Sequence, residues 1–259
     1  MTRREFSALV ATSASAAIPK DLRLIAHRGG VVDSQRPENS PGAVQAAIDN
    51  GYWMIEVDIR KSRDGEPMLH HDNVLTKYYS DSHRPEELTW AELSKLKSTP
   101  GGKPPLHFEE LCAMCKGRMR LMLDMKGEWE PGFYQRLLRC MVDGGIPGPT
   151  YSLGGPRVRP FFDGEVMVSV NRNALREAAE AGEPVAERYF LFELGSELDQ
   201  EAIAFARKLQ VSPVAAINTF RYTMAKRNEW EGPKQDINRL RAMGVKDYQV
   251  DSRYEALFG

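Results

Sequence analysis

The sequence predicts a (β/α)8 barrel with a small insertion after its third strand-like run. Three observations carry that expectation. Strand-like apolar runs alternate with helix-like segments along most of the chain. The length suits one such barrel. No G-x-G-x-x-G or G-x-x-x-x-G-K-[ST] loop is present to favour an open nucleotide-binding sheet. Repeated β-then-α order implies parallel strands joined by helical crossovers. An open doubly wound sheet is the second choice.

The first run, LRLIAH, is followed by NSPGAVQAAIDNG. There Ser40 can cap a helix, Pro41 suits its first position and Gly51 its C′ position. Val44, Ala47 and Ile48 form the apolar stripe. WMIEVDIR and PMLHHD come next as strands. Residues 73–106 are irregular and polar, with TWAELSKL as one helix inside them. HFEELCAMCKG reads as a helix ending at Gly117 and leads into the strand MRLMLDMK. Alternation then continues through FYQRLLRCMVDGG, TYSLG, EVMVSV, ALREAAEAGE, RYFLFEL, DQEAIAFARKLQ, VAAINTF, QDINRLRAMG and DYQVD. This gives nine strand-like runs where a closed barrel needs eight, so EVMVSV or RYFLFEL is expected to be peripheral.

The chain has 259 residues, 42% of them hydrophobic, and a net charge of −1. That is enough to bury one large core. A nucleic-acid binder would show a basic excess or stripe, and none is visible. An anionic partner must therefore be met by a local cluster. No run approaches about 18 apolar residues, so no membrane span is expected. The N-terminus pairs Arg3 with Arg4, adds a mildly apolar run and then Ala14-Ser15-Ala16. That order is similar to a bacterial twin-arginine export signal with an A-x-A cleavage site. Residues 1–20 are thus expected to be an export signal, with a periplasmic protein, or else an N-terminal arm of a cytoplasmic one. Residues 21–259 are expected to form the single domain. Cys112 and Cys115 form a C-x-x-C, but no second pair completes a zinc site, so they are read as helix-interior thiols.

Barrel active sites lie at the C-terminal ends of the strands. His27 and Arg28 end the first run; Glu56 and Asp58 lie two apart, hence on one face, of the second. His71 and Asp72 end the third, with His70 facing away from His71, and Asp124 and Lys126 end the fourth. A charge inside a barrel costs several kcal/mol unless paired or metal-bound. Four consecutive charged ends therefore point to chemistry. Glu56, Asp58 and Asp124 offer only oxygens, which suits one hard divalent cation, Mg2+ or Ca2+. Arg28 and Lys126 suit a phosphate. His27 and His71 supply a base and an acid near neutral pH. Together these describe phosphodiester cleavage.

At these residues the sequence resembles the glycerophosphodiester phosphodiesterase family. The segments that carry the resemblance are AHRGG, RPENSPGAVQAAIDNG, IEVDIRKSRDGEPMLHHD, TWAELSKL and LMLDMK, over roughly residues 22 to 126. The resemblance implies a TIM barrel that hydrolyses small glycerophosphodiesters to sn-glycerol 3-phosphate and an alcohol. It implies His27 and His71 as the catalytic pair, Arg28 and Lys126 as phosphate contacts, and Glu56, Asp58 and Asp124 as metal ligands. Glu38 of PENS is implied beside the metal or orienting Arg28, and Asp251 in a structural role.

Three positions depart from the family pattern. Ser40 stands where Thr is usual, and Asp124 where Glu is usual. AAINTFRY replaces the usual Trp-Thr-Val-Asn near the seventh strand. Phe220, Tyr222 and Trp230 are candidates for the altered pocket wall. The related spider-venom phospholipase D enzymes, which stop at a cyclic phosphate, share the two histidines, the Glu-x-Asp pair and the Asp-x-Lys. A cyclising enzyme acting on lysophospholipids is the alternative enzyme, and a non-catalytic phosphodiester-binding barrel the alternative without chemistry.

Overall fold

The computed structural model describes residues 18–259; the expected export segment lies outside them up to Ala17. Nine strands follow one another: β1 (Arg23–Ala26), β2 (Met54–Lys61), β3 (Pro67–Leu69), β4 (Arg120–Met125), β5 (Thr150–Ser152), β6 (Val166–Val170), β7 (Tyr189–Leu194), β8 (Pro213–Ile217) and β9 (Asp247–Val250). All but β3 are parallel, in the order β1-β9-β8-β7-β6-β5-β4-β2, and β1 pairs with β2 to close the ring. The result is an eight-stranded (β/α)8 barrel. The helices are α1 (Pro41–Asp49), α2 (Thr76–Tyr79), α3 (Trp90–Leu93), α4 (Phe108–Cys115), α5 (Pro131–Asp143), α6 (Arg172–Glu180), α7 (Val185–Arg188), α8 (Gln200–Lys208), α9 (Thr219–Met224) and α10 (Glu231–Ala242).

The surplus strand is not the one expected. EVMVSV and RYFLFEL both belong to the barrel, as β6 and β7. The extra one is β3, which runs antiparallel to β2 with Ile59 opposite Leu69 and Lys61 opposite Pro67. Five residues, 62 to 66, separate the two strands. A parallel crossover needs a dozen or more, so so short a link can only make a hairpin. Gly65, at φ +85, takes the turn.

Segment 73–106 follows β3 and has its own small core of Met68, Leu75 and Leu93. TWAELSKL is helical for one turn only, α3, where the Thr89 hydroxyl accepts from the Glu92 N–H. The α1 cap is as the sequence indicates: the Ser40 side chain accepts from the Ala43 N–H, and Gly51 follows the end at φ +77.

Strand alternation builds both the core and the site. Ile25, Met54, Met122, Tyr151, Phe190 and Val214 form one buried cluster inside the ring. Leu24, Val57, Leu123, Leu191 and Val250 face the other way, into the larger cluster shared with the helices. Continuing up the inner face, Met54 gives way to Glu56 and Asp58, and Met122 to Asp124. β2 and β4 therefore carry apolar side chains at the bottom of the barrel and charge at its C-terminal mouth.

Candidate active site

The chain reverses sharply after His27. Arg28 takes a left-handed conformation (φ 56, ψ 47), a strain found mostly where function needs it. Gly29 and Gly30 follow at φ +76 and +132, and a Cβ on Gly30 would lie 2.1 Å from the Ala43 carbonyl oxygen. This turn presses the His27 loop onto the PENS segment. The Asn39 N–H donates to the Arg28 carbonyl at 2.8 Å. Asn39, itself at φ 57, donates from Nδ2 to Asp58 Oδ2 at 2.6 Å and accepts from the Asp58 N–H at 3.2 Å. Asn39 was not singled out by the sequence. An Asn in a loop beside a charged strand was the available signal, since Asn tolerates positive φ.

Both histidines are held at Nδ1 by a carboxylate. His27 Nδ1 lies 2.6 Å from Asp251 Oδ1, and His71 Nδ1 lies 2.7 Å from Asp72 Oδ1. A carboxylate only accepts, so each Nδ1 carries the proton and each Nε2 is left for chemistry. Arg28 Nη2 donates to His71 Nε2 at 3.1 Å, which shows that nitrogen as an acceptor. Asp251 is thus more than structural: its other oxygen accepts from the Thr219 N–H at 2.6 Å, tying α9 to His27. Burial raises the Asp251 carboxyl, but the His27 bond and charge outweigh it and hold the group below the usual range.

His70 points away, with Nε2 3.0 Å from the Val74 carbonyl, and burial lowers its pKa. Arg60, 3% exposed, is a second residue the sequence did not single out. It donates to the His71 carbonyl at 3.3 Å, to Asn73 Oδ1 at 2.7 Å and to Glu86 Oε1 at 3.0 Å. It joins the backbone of His71 to the insertion. Glu38 accepts from Arg28 Nη1 and from Lys77 Nζ, each at 2.9 Å, so it orients Arg28.

Three carboxylates converge where β2 meets β4, with Asp58 in register with Asp124. Glu56, Asp58 and Asp124 offer oxygens all within 4.8 Å of one another. Glu56 Oε2 accepts from the Arg28 N–H at 2.7 Å, while its buried Oε1 has no partner. Burial first, then the charges of Asp58 and Asp124, push the Glu56 carboxyl well above its ordinary range. Asp58 is equally buried, yet Lys126, His71 and Asn39 hold it below that range. Lys126 Nζ sits 2.8 Å from Asp58 Oδ1 and 2.6 Å from Asp124 Oδ2. One ammonium for three carboxylates leaves an excess of negative charge, and one buried oxygen of Glu56 has no partner. The donor set therefore fits a hard divalent cation. Glu38, His71 and Asp72 form a second group of the same compactness, but its members already serve Arg28, Lys77 and the His71 ring.

A cleft of about 540 Å³ opens beside His27, Arg28 and Glu38. Phe220 lines it. Tyr222 does not: it is buried, with its hydroxyl donating to Asp236 at 3.0 Å. Trp230 also lies outside the lining, edge-on to Tyr254 and beneath the Arg253 guanidinium.

Residues 27–141 match the model of the glycerophosphoryl diester phosphodiesterase family. Over 119 residues the chain is 32% identical to the mouse and human proteins named glycerophosphodiester phosphodiesterase 1, covering 42% of this chain and 35% of each relative. The match thus spans about a third of the length of those relatives. A glycerophosphoryl diester phosphodiesterase structure from Parabacteroides distasonis superimposes with a TM-score of 0.72 at 19% identity, covering 93% of this chain and 87% of that one. An Oleispira antarctica phosphodiesterase in complex with sn-glycerol-3-phosphate gives 0.66 at 17%, covering 92% and 95%. At such identity the structures establish the shared barrel.

Proposed function

We propose that this chain, a member of the glycerophosphoryl diester phosphodiesterase family, hydrolyses glycerophosphodiesters to sn-glycerol 3-phosphate and an alcohol. The observation that carries the reading is the pair of imidazoles, each held at Nδ1 by its own carboxylate and each offering Nε2 beside Arg28 and the acidic cluster. The product named in the Oleispira structure supports the same substrate class.

Arg28 and Lys126 hold the phosphate. One imidazole takes the proton of the glycerol 2-hydroxyl as that oxygen bonds to phosphorus. The other gives a proton to the departing alcohol oxygen as its bond to phosphorus breaks. Water then opens the cyclic phosphate with the roles reversed, and the second P–O bond breaks to give glycerol 3-phosphate. Glu56, Asp58 and Asp124 would hold a divalent cation, which would supply charge neutralisation to the phosphoryl oxygens. Lys126 then contacts the phosphate while remaining next to Asp58 and Asp124. We place the protein in the periplasm, on the order of residues in its first sixteen positions.

Phosphorus NMR of glycerophosphocholine incubated with enzyme and Mg2+ or Ca2+ tests the reading. Glycerol 3-phosphate is expected, and none with His27→Ala. Accumulation of a cyclic phosphate would favour the cyclising reading, and no change in the spectrum would favour a binding barrel.

A further inference from the structure

We propose that Arg60 is the positioning residue for His71, fixing that imidazole through its backbone, and that segment 73–106 takes part by holding Arg60 in place. The inference rests on the phosphodiesterase reading, in which His71 moves a proton, and adds what sets the position of that group.

The need for such a residue follows from the hairpin. β3 is antiparallel and ends at Leu69; past it, the His70 N–H still donates to the Asp58 carbonyl of β2 at 3.0 Å. His71 lies one residue beyond that bond, where the chain has left the sheet. Its ring partner Asp72 is the next residue of the same loop. Their 2.7 Å contact moves with the loop and does not anchor it. Arg28 reaches the ring at Nε2, but Arg28 also serves the phosphate, so that tie is shared with the substrate. His27 differs. It follows barrel strand β1 directly, and its carboxylate, Asp251, directly follows β9.

Arg60 supplies the missing anchor. It lies just past Ile59, the last β2 residue paired with β4, and two positions beyond Asp58 on the same face. Nη2 donates to the His71 carbonyl at 3.3 Å and to Asn73 Oδ1 at 2.7 Å, gripping the chain on both sides of Asp72. Nη1 donates to Glu86 Oε1 at 3.0 Å. Glu86 is itself fixed by its neighbours. Pro85 is buried, and the Leu88 carbonyl accepts from the Arg63 N–H, in the β2–β3 turn, at 2.8 Å. The planar guanidinium makes all three contacts at once. At 3% exposure it is closed off from substrate, so its effect on the reaction runs through His71. Misplacing a reacting group by about 1 Å costs on the order of 100-fold in rate. An imidazole on an unanchored loop would therefore lose rate even with its tautomer intact.

A double-mutant cycle on the full chain tests this, with glycerophosphocholine as substrate and saturating Mg2+ or Ca2+. Arg60→Met keeps much of the side-chain length and removes the donors. It is expected to lower kcat about tenfold or more, with KM within about twofold. In the His71→Ala background the same substitution should leave kcat unchanged, because the group that Arg60 positions is gone. Thermal melts accompany each variant, and kinetics are read well below every Tm. Unchanged kcat in Arg60→Met would overturn the inference. So would a loss that persists in full on top of His71→Ala, since Arg60 would then support the fold in general.

If Arg60→Met fails to fold, Asn73→Ala decides in its place. Asn73 is exposed, so that variant keeps the fold while removing one acceptor of the guanidinium. Its kcat should fall about threefold, the worth of one such bond, and not at all with His71→Ala. Equal kcat with and without the Asn73 side chain, or an additive loss, would overturn the inference there. Failure of the phosphodiesterase reading looks different. Wild type would then leave glycerophosphocholine intact, or His71→Ala would keep the wild-type kcat, and both conclusions would fall together.

Discussion

His27 and Asp251 stand 2.6 Å apart, and their contact joins the end of the first barrel strand to the end of the last. The two residues are 224 positions apart in sequence, and β1 and β9 are neighbours only because the ring closes. Closure of the barrel therefore brings His27 to the carboxylate that holds its ring. The same carboxylate holds α9, so the position of His27 and the shape of the cleft depend on one group.

Asp251→Asn keeps the shape of that contact but offers an amide in place of a full charge. A neutral partner no longer favours the Nδ1–H tautomer or stabilises the imidazolium. We expect kcat to fall about 100-fold, with a smaller change in KM. Steady-state kinetics and a circular dichroism spectrum check this. Unchanged kcat would mean that Asp251 positions only α9.

His27→Ala and His71→Ala are each expected to lower kcat by about 100-fold or more, the range for a lost general acid or base. His70→Ala should leave kcat within a few-fold and act on stability instead, because His70 is buried and bonded to the Val74 carbonyl. Kinetics and thermal melts on the three variants decide it. Loss of kcat in His70→Ala equal to that in His71→Ala would contradict the geometry.

Glu56 gives the metal-free protein a pH dependence. Its carboxyl is raised in the fold, so from the ordinary carboxylate range up to its folded pKa the native state holds a proton that the unfolded chain has released. Stability from this group is present at low pH and lost as pH rises through that window. In chelator-treated protein, Tm should therefore fall as pH rises above the ordinary carboxylate range, where most other carboxylates are already ionised. Saturating Mg2+ or Ca2+ should raise Tm by about 5–10 °C at pH 8, as binding at roughly 100 times Kd would. Glu56→Gln should remove the slope and most of the metal effect. Differential scanning calorimetry across pH, with and without metal, measures both.

Asp124 bears on the choice of cation. Aspartate is one methylene shorter than glutamate, and Mg2+ wants oxygens at about 2.0–2.1 Å while Ca2+ takes about 2.3–2.6 Å with more ligands. Mg2+ should support activity at least as well as Ca2+, and Asp124→Glu should move the preference toward Ca2+. Paired metal titrations on stripped wild type and variant test it. A wild type active with Ca2+ and inert with Mg2+ would end the size argument.

Removal of residues 1–16 should leave Tm and kcat within error. The remaining chain keeps Ile18, which packs on the core, and Leu22, which is buried beneath β1. A large fall in Tm would show that the removed segment is structural.

The sequence by itself determined the barrel rhythm, the α1 cap and the residues that meet at the mouth. Those signals are local: Ser40-Pro41 acts within one turn, and the spacing of Glu56 and Asp58 sets their common face by strand geometry alone. The turn at Gly65 was local too, and five residues between β2 and β3 already demanded a hairpin. Apolar runs alone do not reveal the direction of a strand, so β3 read as a barrel strand. Other features exist only in three dimensions. Asp251 meets His27, Arg60 reaches the His71 carbonyl, and Asn39 clasps Asp58 across segments that no periodicity connects. Aromatic residues show the same limit: Phe220 and Tyr222 are two apart in sequence, yet one lines the cleft and the other is buried on Asp236. Which face of α9 turns inward is decided by the clamp at Thr219 and Tyr222, a product of ring closure and packing rather than of local pattern.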